Sequence, residues 1–304
     1  MATLREIRRR ISGVKSTEKI TKAMKMVAAA KLRRAHAALL AARPYSRKLG
    51  ELMNHLAGGI ALDEHRLISE RPVRGVAIIV VAADRGFCGA FNSNIMKASV
   101  RHIQDNYTGQ HASGHLQLFT VGKKANDYFA KRGYHIAGNY SGVFHDLNIT
   151  TAKRLVSEVV RGYLDESYDR VDVVYNEFKS VIHQRLVIER FLPIPKDSLK
   201  GNGPSREQEH HARHEELQYI YEPTMVSILE SLIPKHLEFQ LWRVLLESNA
   251  AGEGARMAAM DSASENASEL ISTLSLQYNK ARQAAITKEL LEVVSGAEAL
   301  NSAG

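Results

Sequence analysis

The chain has 304 residues, of which 44% are hydrophobic and 24% charged, a composition typical of a soluble globular protein that excludes disorder along the whole length. Its net charge of +8 is concentrated at one end, because residues 1–50 hold 14 Lys and Arg against two Glu. This asymmetry indicates a polyanionic partner: nucleic acid, an anionic membrane or an acidic protein surface.

No apolar run approaches the roughly 18 residues that span a bilayer. The opening segment, MATLREIRRR, has no apolar core of a signal peptide, so the sequence predicts a protein that stays in the compartment where it is made. The single cysteine, Cys88, excludes an internal disulfide and agrees with a reducing cytoplasm.

Residues 1–60 are predicted to form a long helix, because they contain one glycine and no proline before Pro44. Thr3 and Glu6 have the spacing of a capping box, in which each side chain satisfies a free amide at the helix start. Pro44 is expected to kink or interrupt the helix. Apolar residues recur at helical spacing, first Leu4, Ile7, Ile11 and Val14, and after a register break Ile20, Met24 and Val27.

Residues 70–198 alternate short apolar runs with amphipathic stretches, which predicts a Rossmann-like α/β domain with helices against a mostly parallel sheet. The predicted strands are Val76–Ala82, Leu116–Val121, Val171–Asn176 and Leu186–Phe191. The predicted helices are Asn92–Asn106, Lys123–Arg132 and Ile149–Glu166.

Residues 199–217 are predicted to be an exposed loop, since glycine, proline and charged residues cluster there. The loop holds His210, His211 and His214, with Glu209 and Glu215 nearby. These residue types bind metals, but closed metal sites are rarely built in so polar a loop. We therefore interpret the stretch as a solvated charged surface and predict no metal site.

Residues 218–304 are predicted to form a second long helix with a coiled-coil seam. The seam steps by three and four through Met257, Met260, Ser264, Ala267, Ile271, Leu274, Tyr278, Ala281 and Ala285, then shifts by one place to Ile286, Leu290, Val293, Ala297 and Leu300. At about 1.5 Å per residue, a helix of roughly 45 residues is near 70 Å long. Helices of this length extend beyond a small domain, so the residues predict an α/β domain with a long helix at each end of the chain.

The stretch ADRGFCGAFN (83–92) has the layout of a phosphate loop, namely a strand, a glycine-rich turn and a helix start, but it lacks the Walker spacing. A nucleophilic Cys88 would require a histidine base, and the sequence places none beside it. A small buried thiol in a tight turn is the favoured interpretation. Asp84 and Glu189 have no second carboxylate at a spacing for acid and base catalysis. We predict no catalytic residue and no cofactor.

Four motifs together resemble the gamma subunit family of F-type ATP synthases. They are LREIRRRISGVKSTEKITKAMKMVAAAKL (4–32), ADRGFCGAFN (83–92), IYEP (220–223) and the long segment from ARMAAMDSASENASEL to VVSGAEAL (255–300). The resemblance covers both ends and the middle of the chain in family order. It implies the fold class α/β plus a long antiparallel coiled coil formed by the N- and C-terminal helices. It implies the central rotating shaft of the complex, which couples ion flow through the membrane c-ring to conformational change at the catalytic beta subunits.

The resemblance also implies partners and contact residues. The expected partners are the alpha and beta subunits, which form a hexamer, the epsilon subunit and the c-subunit ring. Residues that match the family's contacts with the hexamer are Met24, Lys25, Arg256, Arg282, Gln283 and Glu289. Weaker candidates for contact with the c-ring or epsilon are Tyr219, Tyr221 and Glu222.

The resemblance further implies a non-catalytic subunit that is peripheral at the cytoplasmic face of a bacterial inner membrane and reaches the membrane only through the complex. No nucleic acid partner is expected on this interpretation. One alternative from the residues alone is an enzyme that uses the α/β domain to bind a nucleotide. The other is a basic coiled-coil protein that binds nucleic acid or an anionic membrane. Against it, Tyr45 is the only aromatic residue in the first 50.

Overall fold

The computed structural model describes residues 3–57, 65–181, 183–195, 222 and 224–302. Within them lie six helices and five strands. In chain order these are α1 (Leu4–Ala57), β1 (Val76–Val81), α2 (Phe91–Asn106), α3 (Thr108–Ala112), β2 (Leu116–Val121), α4 (Lys123–Ala130), β3 (Ile136–Tyr140), α5 (Ile149–Leu164), β4 (Arg170–Phe178), β5 (Gln184–Leu192) and α6 (Met225–Ser302).

The chain divides into two compact units. The first, which we call the helical unit, combines Met1–Ala28 with Met257–Gly304. The second, the α/β unit, is Ala29–Arg256. Each of the two long helices therefore contributes to both units.

The α/β unit is built on one five-stranded sheet with the order β3-β2-β1-β4-β5. Strands β1 to β4 are parallel to one another, and β5 pairs antiparallel with β4 at one edge. The central strand β1 reads VAIIVV, and all six of its residues are buried. A continuous apolar run is what a strand covered on both faces requires.

Two apolar clusters cover the two faces of this sheet, and alternate residues of β1 point into each. Ile79 packs with α5 and with residues of both long helices, including Met53 and Leu241. Ile78 packs with α2 and α4 and with Ala251 of α6. Helix α5 is started by Asn148, whose side chain accepts a hydrogen bond from the Thr151 amide at 3.1 Å.

The four predicted strands and three predicted central helices are confirmed, and every boundary lies within two residues of its predicted position. The short edge strand β3 was not predicted. Pro44 was expected to kink or interrupt the first helix, and the interruption is wrong, since Pro44 lies inside the continuous helix α1 with its side chain exposed. The kink stays a prediction. Helix α6 likewise contains Pro234 and begins ahead of it, at Met225.

Candidate partner-contact site

The helical unit is an antiparallel pair of helices. Thr21 of α1 lies opposite Ser264 of α6, and Lys25, one turn further along α1, lies opposite Asp261. Residue numbers thus rise along one helix as they fall along the other. Near the start of α1, Leu4 lines a shallow cleft with residues of α6 from Arg282 to Glu292.

Around Thr21 and Ser264 the contact between the two helices is made by small polar residues. The Ser264 hydroxyl lies 2.7 Å from the Thr21 hydroxyl and 2.8 Å from the carbonyl oxygen of Met260. Thr21 donates to the carbonyl of Glu18 at 3.0 Å. Both hydroxyl groups are buried, and each has a hydrogen-bond partner, as buried polar groups require. Their small size lets the two backbones approach closely.

The structure corrects the predicted seam of α1 beyond Val14. Ile20 is 60% exposed and Val27 is 57% exposed, whereas Thr21 and Ala28 are buried. Ile7, Thr21 and Ala28 are separated by whole heptads, so the seam continues without a register break. The prediction chose apolar residues, but the positions that face α6 are occupied here by a threonine and an alanine.

The two predicted contact residues on α1 are both half-buried in the helical unit. Lys25 forms an ion pair with Asp261 of α6, and both side chains remain partly exposed. Met24 precedes it on the same turn. A contact of Lys25 with an acidic partner would therefore compete with Asp261, a residue that no sequence pattern singled out.

The predicted seam of α6 is confirmed only for its first part. Met260, Ser264, Ala267 and Leu274 are buried, whereas Ala285, Ile286, Leu290, Val293 and Ala297 are exposed. The cause is the length of the partner helix, because α1 begins at Leu4 beside this part of α6. Exposed apolar side chains with no covering among the described residues are Ile286, Leu290, Leu291, Val293 and Val294.

Three further predicted contact residues, Arg282, Gln283 and Glu289, are exposed on α6. Arg282 and Glu289 line the same cleft as Leu4. None of the three forms an ion pair within the part of the chain that the structure describes. Their side chains are therefore available to a partner.

Arg256, the remaining residue predicted to contact the hexamer, lies at the end of the α/β unit and faces the turn that follows β1. Its guanidinium donates to the carbonyls of Gly86 at 3.3 Å and Arg85 at 3.4 Å. It also pairs with Glu253 at 2.6 Å, and both of these side chains are mostly buried. The structure thus brings Arg256 to the 83–92 motif.

The turn held by Arg256 presents an aromatic side chain to solvent. Phe87 has a φ of +60°, a conformation that is strained for a bulky residue, and it is 73% exposed. Asn92 supports the turn from the other side, because its side chain accepts from the Ala83 amide at 3.0 Å and donates to the Arg85 carbonyl at 3.3 Å.

Asp84 joins this turn to two neighbouring segments. Its carboxylate accepts hydrogen bonds from the backbone amides of Lys123 at 2.8 Å, Gly142 at 2.7 Å and Phe144 at 3.0 Å. These three hydrogen bonds from backbone amides to a charged carboxylate hold together the loops at this edge of the sheet. The carboxylate is therefore a structural acceptor.

Cys88 is buried, which confirms the preferred interpretation of the motif. Burial raises the pKa of its thiol, and the nearby charge of Arg256 only partly opposes this effect. The Asn92 side chain lies 3.1 Å from the sulfur. A buried thiol with a raised pKa carries little thiolate at neutral pH, in contrast to a reactive cysteine.

Tyr219, Tyr221 and the His210–His214 stretch lie outside the described residues, and Glu222 is exposed. Among the residues that the structure describes, there is no group of three or more His, Cys, Asp or Glu side chains placed to hold a metal ion. A search of the same residues finds no helix that combines the length and the apolar character needed to cross a membrane.

Comparisons with known proteins place these features in one family. Residues 3–300 match the family model described as ATP synthase. The chain is 50% identical over 301 residues to the ATP synthase gamma chain of Chloroherpeton thalassium and to that of Chlorobium phaeobacteroides, with 99% of each chain covered in both cases. The chain belongs to the ATP synthase gamma chain family. These relatives are bacterial, as the sequence predicted for this chain.

Solved structures with lower sequence identity share the fold of this chain. A chain in the cryo-EM structure of the Euglena gracilis mitochondrial ATP synthase, described as OSCP/F1/c-ring, superposes with a TM-score of 0.65 at 21% identity, covering 98% of this chain and 95% of that one. The predicted fold class is confirmed by this likeness and by the elements above. Family membership leaves the alternative, a basic coiled-coil protein for nucleic acid or membranes, without support.

Proposed function

We propose that this chain is the central rotating shaft of an F-type ATP synthase and couples ion flow through the membrane c-ring to conformational change at the catalytic beta subunits. The family membership of residues 3–300 supports this proposal. A paired helix resists bending and twisting better than a single one. The antiparallel helical unit is thus suited to transmit torque.

One structural observation supports the proposal above the others, namely the apolar end of α6. Beyond Ala285 this helix exposes five large apolar side chains, among which Leu290 is 61% exposed. Contiguous exposed apolar surface marks an interaction site. We infer that this end of the shaft enters the cavity of the alpha/beta hexamer, where the apolar side chains lose their contact with water.

The contact residues that we propose for the hexamer are Met24 and Lys25 on α1 and Arg282, Gln283 and Glu289 on α6. A solvated ion pair contributes about 0.2–1 kcal/mol, which is comparable to thermal energy, so such contacts exchange readily during rotation. Arg256 belongs to this set less directly, because its hydrogen bonds go to the turn around Gly86.

The α/β unit is proposed to contact the epsilon subunit and the c-ring, with Glu222, Tyr219 and Tyr221 as the candidate residues. On this proposal the subunit is non-catalytic, since nucleotide chemistry takes place on the beta subunits. The chain is then a peripheral subunit at the cytoplasmic face of the bacterial inner membrane. It reaches the membrane only through the complex.

The test is purification of the tagged chain from its native membranes, with the co-purifying subunits identified and ATPase activity assayed. We expect one copy of the chain per alpha/beta hexamer, with the epsilon subunit and c-ring, and no ATPase activity from the chain alone. Recovery without those subunits, or with nucleic acid in their place, would contradict the proposal.

A further inference from the structure

A cavity of about 380 Å³ lies in the α/β unit next to the Asp84 turn. Its wall is formed by α1, the turn after β1, the start of α4, the turn after β3 and one face of α6. This volume is within the range of small-molecule sites.

The charges around this cavity are unbalanced in favour of cations. Four of the lining residues are Lys31, Arg85, Lys123 and Arg256, against the two carboxylates Asp84 and Glu253. Both carboxylates are already engaged, Asp84 by three backbone amides and Glu253 by Arg256. Within the described residues, Lys31, Arg85 and Lys123 form no ion pair.

A buried hydroxyl group on the wall of the cavity has no hydrogen-bond partner. Ser248 is only 2% exposed, and its Oγ finds no acceptor or donor among the described residues. A buried polar atom left unpaired destabilises the fold, so such atoms usually have a partner.

Other helical serines of the chain make a hydrogen bond to their own helix that Ser248 lacks. Ser99, Ser264 and Ser275 also lie within helices, and each hydroxyl lies within 2.9 Å of the carbonyl oxygen four residues earlier. Ser248 lacks this contact. Ser248 lines the cavity but its Oγ is buried, so a rotation of the side chain about Cα–Cβ accompanies a hydrogen bond from its O–H to a molecule bound there.

We infer that this cavity binds a phosphate oxyanion, with one oxygen accepting from Ser248 and the negative charge balanced by Lys31, Arg85 and Lys123. Hydrogen bonds from charged or hydroxyl donors to an anion are the contacts that phosphate prefers. The depth of Ser248 favours a small anion. The bound group is inorganic phosphate or the phosphoryl end of a nucleotide, and the site is independent of the shaft function.

The experiment is a calorimetric titration of the full chain with inorganic phosphate, at an ionic strength held constant with chloride. We expect saturable binding at one site. A second titration uses ADP: tighter binding of ADP identifies the nucleotide phosphoryl group as the source, and equal or tighter binding of inorganic phosphate identifies the free anion.

Two variants and one control test the location. Ser248→Ala should weaken binding about tenfold, as expected for the loss of a hydrogen bond to a charged group. Lys31→Gln combined with Lys123→Gln should weaken it at least as much. The matched control is Lys97→Gln with Lys131→Gln, two exposed lysines of the same unit that do not line the cavity, and it should bind within about twofold of the wild type.

Two results would overturn the inference. One is the absence of saturable binding for both phosphate and ADP. The other is an equal loss in the control pair and the cavity pair, because the anion then responds only to overall charge. The melting temperature of each variant without phosphate shows whether it is folded. If Ser248→Ala does not fold, the comparison of the two lysine pairs decides whether phosphate binds in the cavity.

Discussion

Asp84 illustrates how a residue that looks catalytic can be purely structural. Acidic residues at the end of a buried strand often take part in chemistry, and the sequence could not show where the carboxylate points. The structure directs it to three backbone amides of two other segments. The contacts cross 39 to 60 positions of sequence, so no local pattern could have revealed them.

Replacement of Asp84 should destabilise the α/β unit. We expect Asp84→Asn to lower the free energy of unfolding by about 2–3 kcal/mol, because hydrogen bonds to a charged acceptor are lost and amides are left without partners. Urea unfolding of the full chain measures the change. The control is Asp146→Asn, an exposed carboxylate nearby without a hydrogen bond among the described residues, which should change stability by less than about 0.5 kcal/mol.

Asp172 is a buried carboxylate on β4 that should make stability depend on pH. It accepts from Tyr107 at 2.5 Å and His102 at 2.8 Å, with Arg170 at 3.2 Å. Burial alone would raise its pKa, but these hydrogen bonds and the charge of Arg170 outweigh burial and lower the pKa below its ordinary value. Its contribution is therefore complete above the ordinary pKa of about 4 and is lost as the pH falls through the lowered value.

The prediction is a pH-dependent difference between the wild type and Asp172→Asn. At neutral pH the variant should be less stable by about 2–3 kcal/mol, and this difference should shrink as the pH falls below about 4. Unfolding by urea at a series of pH values measures it. Asp105→Asn, an exposed carboxylate on α2, is the control. A difference of constant size at every pH would show that the charge of Asp172 is not the cause.

The central strands were predictable because burial on both faces leaves a continuous apolar run, as in VAIIVV of β1. The missed strand β3 reads IAGNY, lies at the sheet edge and is buried at only two of its five residues.

The seam of α1 was misread for a related reason. Thr21 and Ala28 face α6, whereas the more hydrophobic Ile20 and Val27 face away from it. A pattern of apolar residues identifies the buried face of a helix only when the residues in contact are themselves apolar.

The close approach of α1 and α6 depends on small residues, and a larger side chain should separate the helices. We expect Ala267→Leu, at a buried seam position, to cost about 1–3 kcal/mol because the added volume has no space. Hydrogen exchange of the full chain should show faster exchange in residues 3–28 and 257–281 and unchanged exchange in the sheet. Ser268→Leu, on the exposed neighbouring position, should leave exchange unaltered; equal effects of the two variants would rule out the packing argument.

For the whole molecule, the residues alone predicted two long helices and an α/β domain, and they left the partner open among polyanions. The contact residues came from the resemblance, residue by residue. Of these, the structure shows Arg282 and Gln283 exposed and places Arg256 against the turn of its own unit. A contact with a partner depends on the surfaces of both proteins, and the sequence of one chain describes only one of the two surfaces.

Charge reversal of Arg282 should weaken assembly in a salt-dependent way. We expect Arg282→Glu to raise the dissociation constant of the chain from the alpha/beta hexamer by about two- to fivefold at low ionic strength, as for the loss of an exposed ion pair. The effect should shrink at high salt because exposed charges are screened. Lys97→Glu, in the other unit, is the control and should have no effect. An equal shift for both variants would indicate a response to net charge rather than a contact.

The central claim, rotation within the complex, is tested most directly by observing it. A bead is attached through Lys131→Cys, an exposed position on the α/β unit, in a chain where Cys88 is replaced by alanine, and the alpha/beta hexamer of the assembled complex is fixed to a surface. The account predicts that ATP drives continuous rotation of the bead in one direction. A stationary bead on complexes that hydrolyse ATP at the normal rate would contradict it.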